Sequence, residues 1–468
     1  MSADLIAFLA DRDAWITARH RRCAIDLLFD TIGCLVFGAR QPWARAAAAH
    51  ARRSGGDGPC TAIGAGFATS AAMAAFANGV AAHAFEVDEV HEEAISHPGA
   101  VVIPAVLATA QQTGASGRDV LDAVVGGYEA MGRVGIAVGP AAHMRAGFHP
   151  TGQSGVFGAA AAVGALLDLD ERLLADALGI AASFASGTTE FSQSGGMSKR
   201  LHAGRAAEGG LTAAYLAADG VTGPTGGLDG RYGFCRIFTT APRVDLLSAD
   251  LGRRWMIDEV TVKPYAACSD IHPLIDAALE LRAAGVDPAQ IAAICADVPS
   301  KAAEQNALDG TTSVMAAQYS GPFNIAAAFL ADPSDPATYA PDRIADPALA
   351  ALQEKVTMRS STQFDATYAW KMSGRVTVSM ADGSTHHRTV RGQRGSMHRP
   401  LSRHALGDKV ARLAGDRLDV ATLRAALEGL RDAGDLLRLR AVLDSVRPDS
   451  VAGTVRRDRQ GRIREDVP

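Results

Sequence analysis

A mainly α-helical protein with one smaller α+β region is predicted by three features of the sequence. Ala- and Gly-rich segments with helical spacing run from residue 1 to about 240, β-branched alternating runs appear only beyond about residue 255, and helical periodicity returns over residues 400–446. At 468 residues the chain has room for two or three domains with a sizeable buried core.

The elements follow in chain order. Ser116 and Asp119 form a capping-box pattern, after which Val120, Val124, Tyr128 and Met131 recur at helical spacing. Asp168 and Glu171, three apart before LLADALGIAA, give a second helix start. Small residues dominate VFGAAAAVGALL and GRAAEGGLTAAYLAA, so the axes of these helices can approach closely. DEVTVKPY and AAICADVPS then read as strands, HPLIDAALELRAAG as a helix, and SGRVTVSMADGSTHHRTV as a hairpin around Asp382-Gly383. LSRHALGDKVARLAG and VATLRAALEGLRDAG are helical; they either extend the second domain or pack back onto the first.

Composition excludes several classes of function. The net charge of −5 offers no electrostatic footprint for nucleic acid, and the basic cluster VRRDRQGRIRED is interspersed with acids as in a solvated tail. No run of roughly 18 apolar residues suggests a membrane span. The N-terminus, acidic before a short apolar run, is not a signal peptide, and six cysteines without a CxxC suit reduced thiols, so the cytoplasm is the expected location.

The stretch FEVDEVHEEAISHPG, residues 85–99, concentrates carboxylates and histidines. Its histidines lie six apart rather than at HExxH spacing, which argues against a metalloprotease. A divalent ion on Glu86, Asp88 and Glu89 competes with a solvated acidic turn, and composition favours the turn. IGAGFATS lacks the third glycine of a dinucleotide loop and a strand leading into it, and TGQSG is not GxSxG.

Lysine usage is more informative. Only Lys199, Lys263, Lys301, Lys355, Lys371 and Lys409 occur among the 46 basic residues, so a retained lysine can mark a need for a compact charge or a tunable pKa. Lys199 lies three residues before His202, and Lys263 nine before His272; both are flanked by apolar sequence and need an anionic partner or a lowered pKa. His97 and His149 each precede Pro at the entry of an apolar helix, where the positive helix end lowers the pKa of an imidazole. His386, His387, His398 and His404 sit in polar surroundings and read as surface residues. Together these groups suit a pocket that binds a small polycarboxylate and moves a proton beside one of its carboxylates, with cations stabilising the developing charge.

In this order and spacing, LLFDTIGCLVFG, AHAFEVDEVH, HPGAVVIPAVLA, GYEAMGRV, GFHPTGQSGVFGAAAA, GGMSKRLHAGRAAEGGLTAAYLAADGVTGP and VKPYAACSDIHPLIDA resemble the MmgE/PrpD family, with QYSGPFNIAAAFL and RPLSRHALGDKV as weaker matches. That family includes 2-methylcitrate dehydratase, cis-aconitate decarboxylase and iminodisuccinate epimerase. The resemblance implies a large all-helical domain over 1–262, an α+β lid domain over 263–398, C-terminal helices over 399–450 returning to the helical domain, and a polar tail over 451–468. It implies a homodimer without metal or organic cofactor, acting on a small polycarboxylate.

Carried over by position, the catalytic set implied is Asp88, His91, His97, His149, Lys199 and Cys268, with Glu86, His202, Lys263 and His272 binding substrate. Glu92 and Glu93 fall outside the pattern and are expected to face solvent. Two departures bear on the reaction. Decarboxylating and dehydrating members carry Asp-Phe-Asp-Asp where this chain has Glu86-Val-Asp-Glu89, with one extra residue before His-Pro. Cys268 stands where the decarboxylase has a catalytic His, and a thiol shuttles protons at neutral pH only if its pKa is lowered. The order of expectation is therefore dehydration of a 2-hydroxy polycarboxylate, then two-base epimerisation of an amino or imino dicarboxylate, with decarboxylation or a non-catalytic binding protein behind.

Overall fold

The computed structural model describes residues 1–191, 196–308, 310–368 and 370–448, so the basic tail lies outside the described residues. The chain is mainly helical. Its principal helices in the N-terminal part are α1 (Ala18–Gly38), α2 (Ala71–Ala82), α3 (Gly99–Thr113), α4 (Gly117–Ala137), α5 (Pro150–Leu166) and α6 (Ser198–Ala218). Those of the smaller α+β region, expected to act as a lid and called so below, are α7 (His272–Ala283), α8 (Val314–Tyr319) and α9 (Gly321–Leu330), and the C-terminal segment forms α10 (Arg403–Ala414), α11 (Val420–Glu428) and α12 (Ala433–Asp444).

Helices α2, α3, α5 and α6 pack face to face through small residues. The contact between α2 and α6 shows why: a Cβ added to Gly79 would stand 2.8 Å from Gly204 Cα, so only glycine permits this approach. The consequence is functional, because the end of α2 leads into residues 83–97 while the start of α6 carries Lys199, Arg200 and His202. Leu406, Val410, Leu423, Leu427 and Leu439 of α10–α12 are buried in the same core as α1, so the C-terminal segment is part of the helical body.

The lid is built on a four-stranded sheet, β5 (Ile291–Val298), β6 (Val356–Ser360), β7 (Ser373–Met380) and β8 (Thr385–Arg391), in the order β6-β5-β7-β8. β5 and β6 run parallel, whereas β5–β7 and β7–β8 are antiparallel. The hairpin at Asp382-Gly383 forms as expected, with Gly383 at φ +86°. The apolar face of the sheet and α7 and α9 enclose a second core around Ile294, Val376, Leu274 and Phe323.

Several local expectations are corrected. The helix after Asp168 starts at Glu171 with Asp170 as its cap, accepting from Leu173 N at 2.8 Å, while Asp168 sits at φ +55° and pairs with Arg12. IGAGFATS does follow a strand, β1 (Cys60–Ala62), but its two glycines turn the chain into a returning strand, β2 (Phe67–Thr69), rather than into a phosphate-binding helix. DEVTVKPY yields only the short β4 (Val260–Thr261), which pairs with β3 (Val90–His91), because the chain leaves the helical body at this point and Val262 N turns to Gly395 O of the returning connection at 3.0 Å.

Candidate active site

Residues 83–97 link α2 to α3 as irregular backbone with only the short β3, and their acids diverge. Glu86 has φ +57°, a left-handed conformation that costs a non-glycine residue about 1–3 kcal/mol and persists only where surroundings enforce it. Those surroundings are cationic: the Glu86 carboxylate accepts from Lys199 and from Arg200, and Lys263 Nζ lies 3.5 Å from its Oε2. Burial alone would push the Glu86 pKa up, but Lys199, Arg200 and Lys263 together hold it well below the usual range. Lys199 also donates to the Tyr319 hydroxyl at 2.7 Å, while burial lowers its own pKa against the opposing pull of Glu86. Thus α6 and the start of the lid meet on one carboxylate, and the end of α8 joins them through Lys199.

Asp88 points to a second cluster, made of imidazoles. Its Oδ2 lies 2.6 Å from His83 Nδ1 and 3.3 Å from His97 Nδ1. His97 Nδ1 is also 2.7 Å from Glu89 O; a carbonyl only accepts, so Nδ1 carries the proton and Nε2 is left as the basic nitrogen. Burial lowers the His97 pKa to about 3, more than Asp88 restores, so the ring is neutral. The His83 ring lies tilted against those of His97 and His149, with centroids 4.9 Å and 5.9 Å away, and His149 Nδ1 in turn meets His202 Nδ1 at 3.0 Å. Burial followed by Lys199 drives His149 well below its ordinary value, and burial takes His202 to about 4. The result is a row of neutral imidazoles anchored at one end by Asp88.

Glu89, the third acid, turns away from both clusters. It accepts from Gly99 N at 2.6 Å at the start of α3 and from the Tyr128 hydroxyl at 2.9 Å; burial, reinforced by Asp88, raises its pKa to about 8. Glu86, Asp88 and Glu89 therefore share no metal. Among the described residues, the donor atoms of His83, Asp88 and His97 do lie within 4.8 Å of one another. Two of these donors already serve the hydrogen bonds of Asp88 and Glu89 O, and Lys199 and Lys263 close by repel a dication.

A family model for the MmgE/PrpD N-terminal domain matches residues 13–247, and one for the MmgE/PrpD C-terminal domain matches residues 265–430. The chain belongs to the MmgE/PrpD family. It is similar to cis-aconitate decarboxylase of Aspergillus terreus, 29% identical over 442 residues that span 88% of this chain and 90% of the relative. It is also similar to a cis-aconitate decarboxylase-like protein of Aspergillus oryzae, at 29% over 447 residues covering 88% and 91%. The human cis-aconitate decarboxylase matches at 34% over a shorter stretch of 216 residues, 45% of this chain and 44% of the human protein. No helix among the described residues of this MmgE/PrpD protein is long and apolar enough to cross a membrane.

Of the residues singled out from sequence, Glu86, Asp88, His97, His149, Lys199, His202 and Lys263 converge. Cys268 stands at the lid side of this group, its backbone N donating to Gln318 O at 2.9 Å, and burial raises its thiol pKa to about 11, so it is a protonated thiol. His272 lies behind Lys263 at the start of α7, bonded to Ala267 O at 3.1 Å and held by burial at about 3. His91 goes elsewhere: its Nε2 is 3.8 Å from Glu259, which pairs with Arg254. Glu92 corrects the expectation of a solvent-facing acid. It is 5% exposed, accepts from Thr261 and Gln393 at 2.5 Å each, and burial lifts its pKa to about 7.

Three residues of the candidate site are not marked in the sequence. His83 precedes no proline and neighbours no lysine. Arg200 was one arginine among forty in a chain where arginine is the default cation. Tyr319 had a signal only in the weak match QYSGPFNIAAAFL, in which it is the second residue.

Proposed function

We propose that the protein is a cofactor-independent lyase that removes the α-proton of a small di- or tricarboxylate and eliminates water. One juxtaposition supports it above all: a neutral His97 with Nε2 as its basic nitrogen in the same buried cluster as Lys199, Arg200 and Lys263. In this reading the lid opens, and substrate carboxylates join Glu86 on Lys199, Arg200 and Lys263, three cations that a single carboxylate leaves in excess. His97 Nε2 accepts the α-proton, and the C–H electron pair passes into an enediolate whose charge Lys199 and Lys263 stabilise. The C–O bond on the adjacent carbon then breaks, and the departing oxygen takes a proton and leaves as water. His149 is neutral and has no acidic proton to give; the Tyr319 hydroxyl accepts from Lys199 and so directs its own proton elsewhere, and although burial raises its pKa well above the ordinary value, the Lys199 ammonium at 2.7 Å stabilises the phenolate left by that step. Asp88 orients His83 and His97. A homodimer and a cytoplasmic setting accompany the same reading.

The relatives named cis-aconitate decarboxylase favour a second reading, loss of CO2 from a tricarboxylate with protonation of the resulting carbanion. Against it stands Cys268, a thiol with a raised pKa where an imidazole would relay the proton. Incubating the enzyme in deuterated water with 2-hydroxy tricarboxylates, unsaturated tricarboxylates and amino or imino dicarboxylates separates the possibilities. Alkene absorbance without CO2 is expected; CO2 release establishes the second reading, and deuterium incorporation with inversion but no alkene establishes an epimerase. In Lys199→Ala the signal is expected to vanish while the fold is kept, and an active Lys199→Ala protein would refute the assignment. Dialysis against EDTA is expected to leave turnover unchanged; a loss restored by Zn²⁺ would make His83, Asp88 and His97 metal ligands instead.

A further inference from the structure

Between Ala82 and Val90 the chain forms neither helix nor strand, so the buried carbonyls of this stretch need partners from elsewhere. Side chains from four parts of the chain supply them. Arg200 donates to His83 O at 3.3 Å, Gln318 Nε2 to Phe85 O at 2.7 Å, Lys263 Nζ to Glu86 O at 3.2 Å, and His97 Nδ1 to Glu89 O at 2.7 Å. The fifth donor is Lys409 of α10, whose Nζ reaches Val87 O at 2.9 Å across 322 positions of sequence.

Val87 is the residue between Glu86 and Asp88, the carboxylates that face the cations and the imidazoles respectively. Lys409 is 5% exposed and also pairs with Asp30 Oδ1 of α1 at 2.6 Å; among the described residues, the one further side chain on Val87 O is the Cys34 thiol at 3.6 Å, a weak donor. The lysine touches none of the groups assigned to substrate. It fixes the peptide on which both carboxylates turn.

We propose that Lys409 is a positioning residue for the candidate active site: by clamping the Val87 carbonyl it holds Glu86 against Lys199 and Asp88 against His83, which makes the C-terminal segment a working part of the site. The inference rests on the proposed function for its kinetic consequence, though not for its structural one. A misplacement of about 1 Å in a reacting geometry costs roughly 10²-fold in rate.

The test uses the full chain in three forms. Lys409→Met removes the donor but leaves Asp30 buried and unpaired, so it risks unfolding. Asp30→Asn/Lys409→Met removes both charges and still lacks the donor, while Asp30→Asn keeps the amine on Val87 O. The first readout is the proton NMR resonance of the His83 Nδ1–H, which the 2.6 Å contact with Asp88 is expected to place far downfield in the unmodified protein. It is expected to persist in Asp30→Asn and to disappear or move upfield in the double variant. The second readout is kinetic: the double variant is expected to lose about 10²-fold in kcat with KM changed little, Asp30→Asn to retain most of its kcat. A double variant with the original resonance and kcat overturns the proposal, as does an equal loss in Asp30→Asn. If the unmodified protein turns over no polycarboxylate, the proposed function fails, and the NMR arm still decides the clamp.

Discussion

Replacement of His97 by glutamine is expected to lower kcat/KM by about 10²- to 10⁴-fold, the usual contribution of a positioned general base. Glutamine can still donate to Glu89 O, so the loop should hold and the thermal midpoint should change little, but it offers no basic nitrogen. The pH profile of the unmodified enzyme provides the companion measurement. Because burial holds His97 near pKa 3, the base is already neutral at pH 5, and the acidic limb of kcat/KM is expected well below the ordinary histidine value of about 6.5. A limb near 6.5, or a His97→Gln enzyme with full activity, would remove His97 from the base role.

Replacement of Glu86 by alanine is expected to cost about 3–5 kcal/mol of stability, as for breaking a buried charge network from one side, because it leaves Lys199, Arg200 and Lys263 without their common counter-ion. Urea unfolding measures the difference, and its pH dependence has a definite sign. The folded pKa of Glu86 is depressed, so its stabilisation is complete above the ordinary glutamate value of about 4.3 and is lost as pH falls through the folded value. The gap between the native and Glu86→Ala proteins should therefore be widest at neutral pH and close in acid. A gap independent of pH would mean that Glu86 acts through packing rather than charge.

Glu92 and His91 show where reading by neighbours fails. In sequence HEE looks like a wet acidic turn, yet Glu92 bonds Thr261 and Gln393 on the two connections to the lid, and His91 lies in β3 paired with Val260. The side-chain partners of Glu92 and the strand partner of His91 lie about 170 to 300 positions away, and no local pattern announces them. The helix entries are the opposite case. His149 caps α5 and His97 precedes Pro98, the cap of α3, because a proline at or near the first helical position is a local preference that needs no tertiary contact.

The sequence by itself determined the mainly helical class, the hairpin at Gly383, the family and most of the candidate site, since these depend on periodicity, on capping within three or four residues, or on motif order. Only the tertiary structure decided which carboxylate serves which purpose. Glu86 and Asp88 are two residues apart, yet one goes to Lys199, Arg200 and Lys263 and the other to His83 and His97. That division depends on a backbone at φ +57°, held open by carbonyl partners as distant as Lys409, and such a conformation follows from its surroundings rather than from the residues that adopt it.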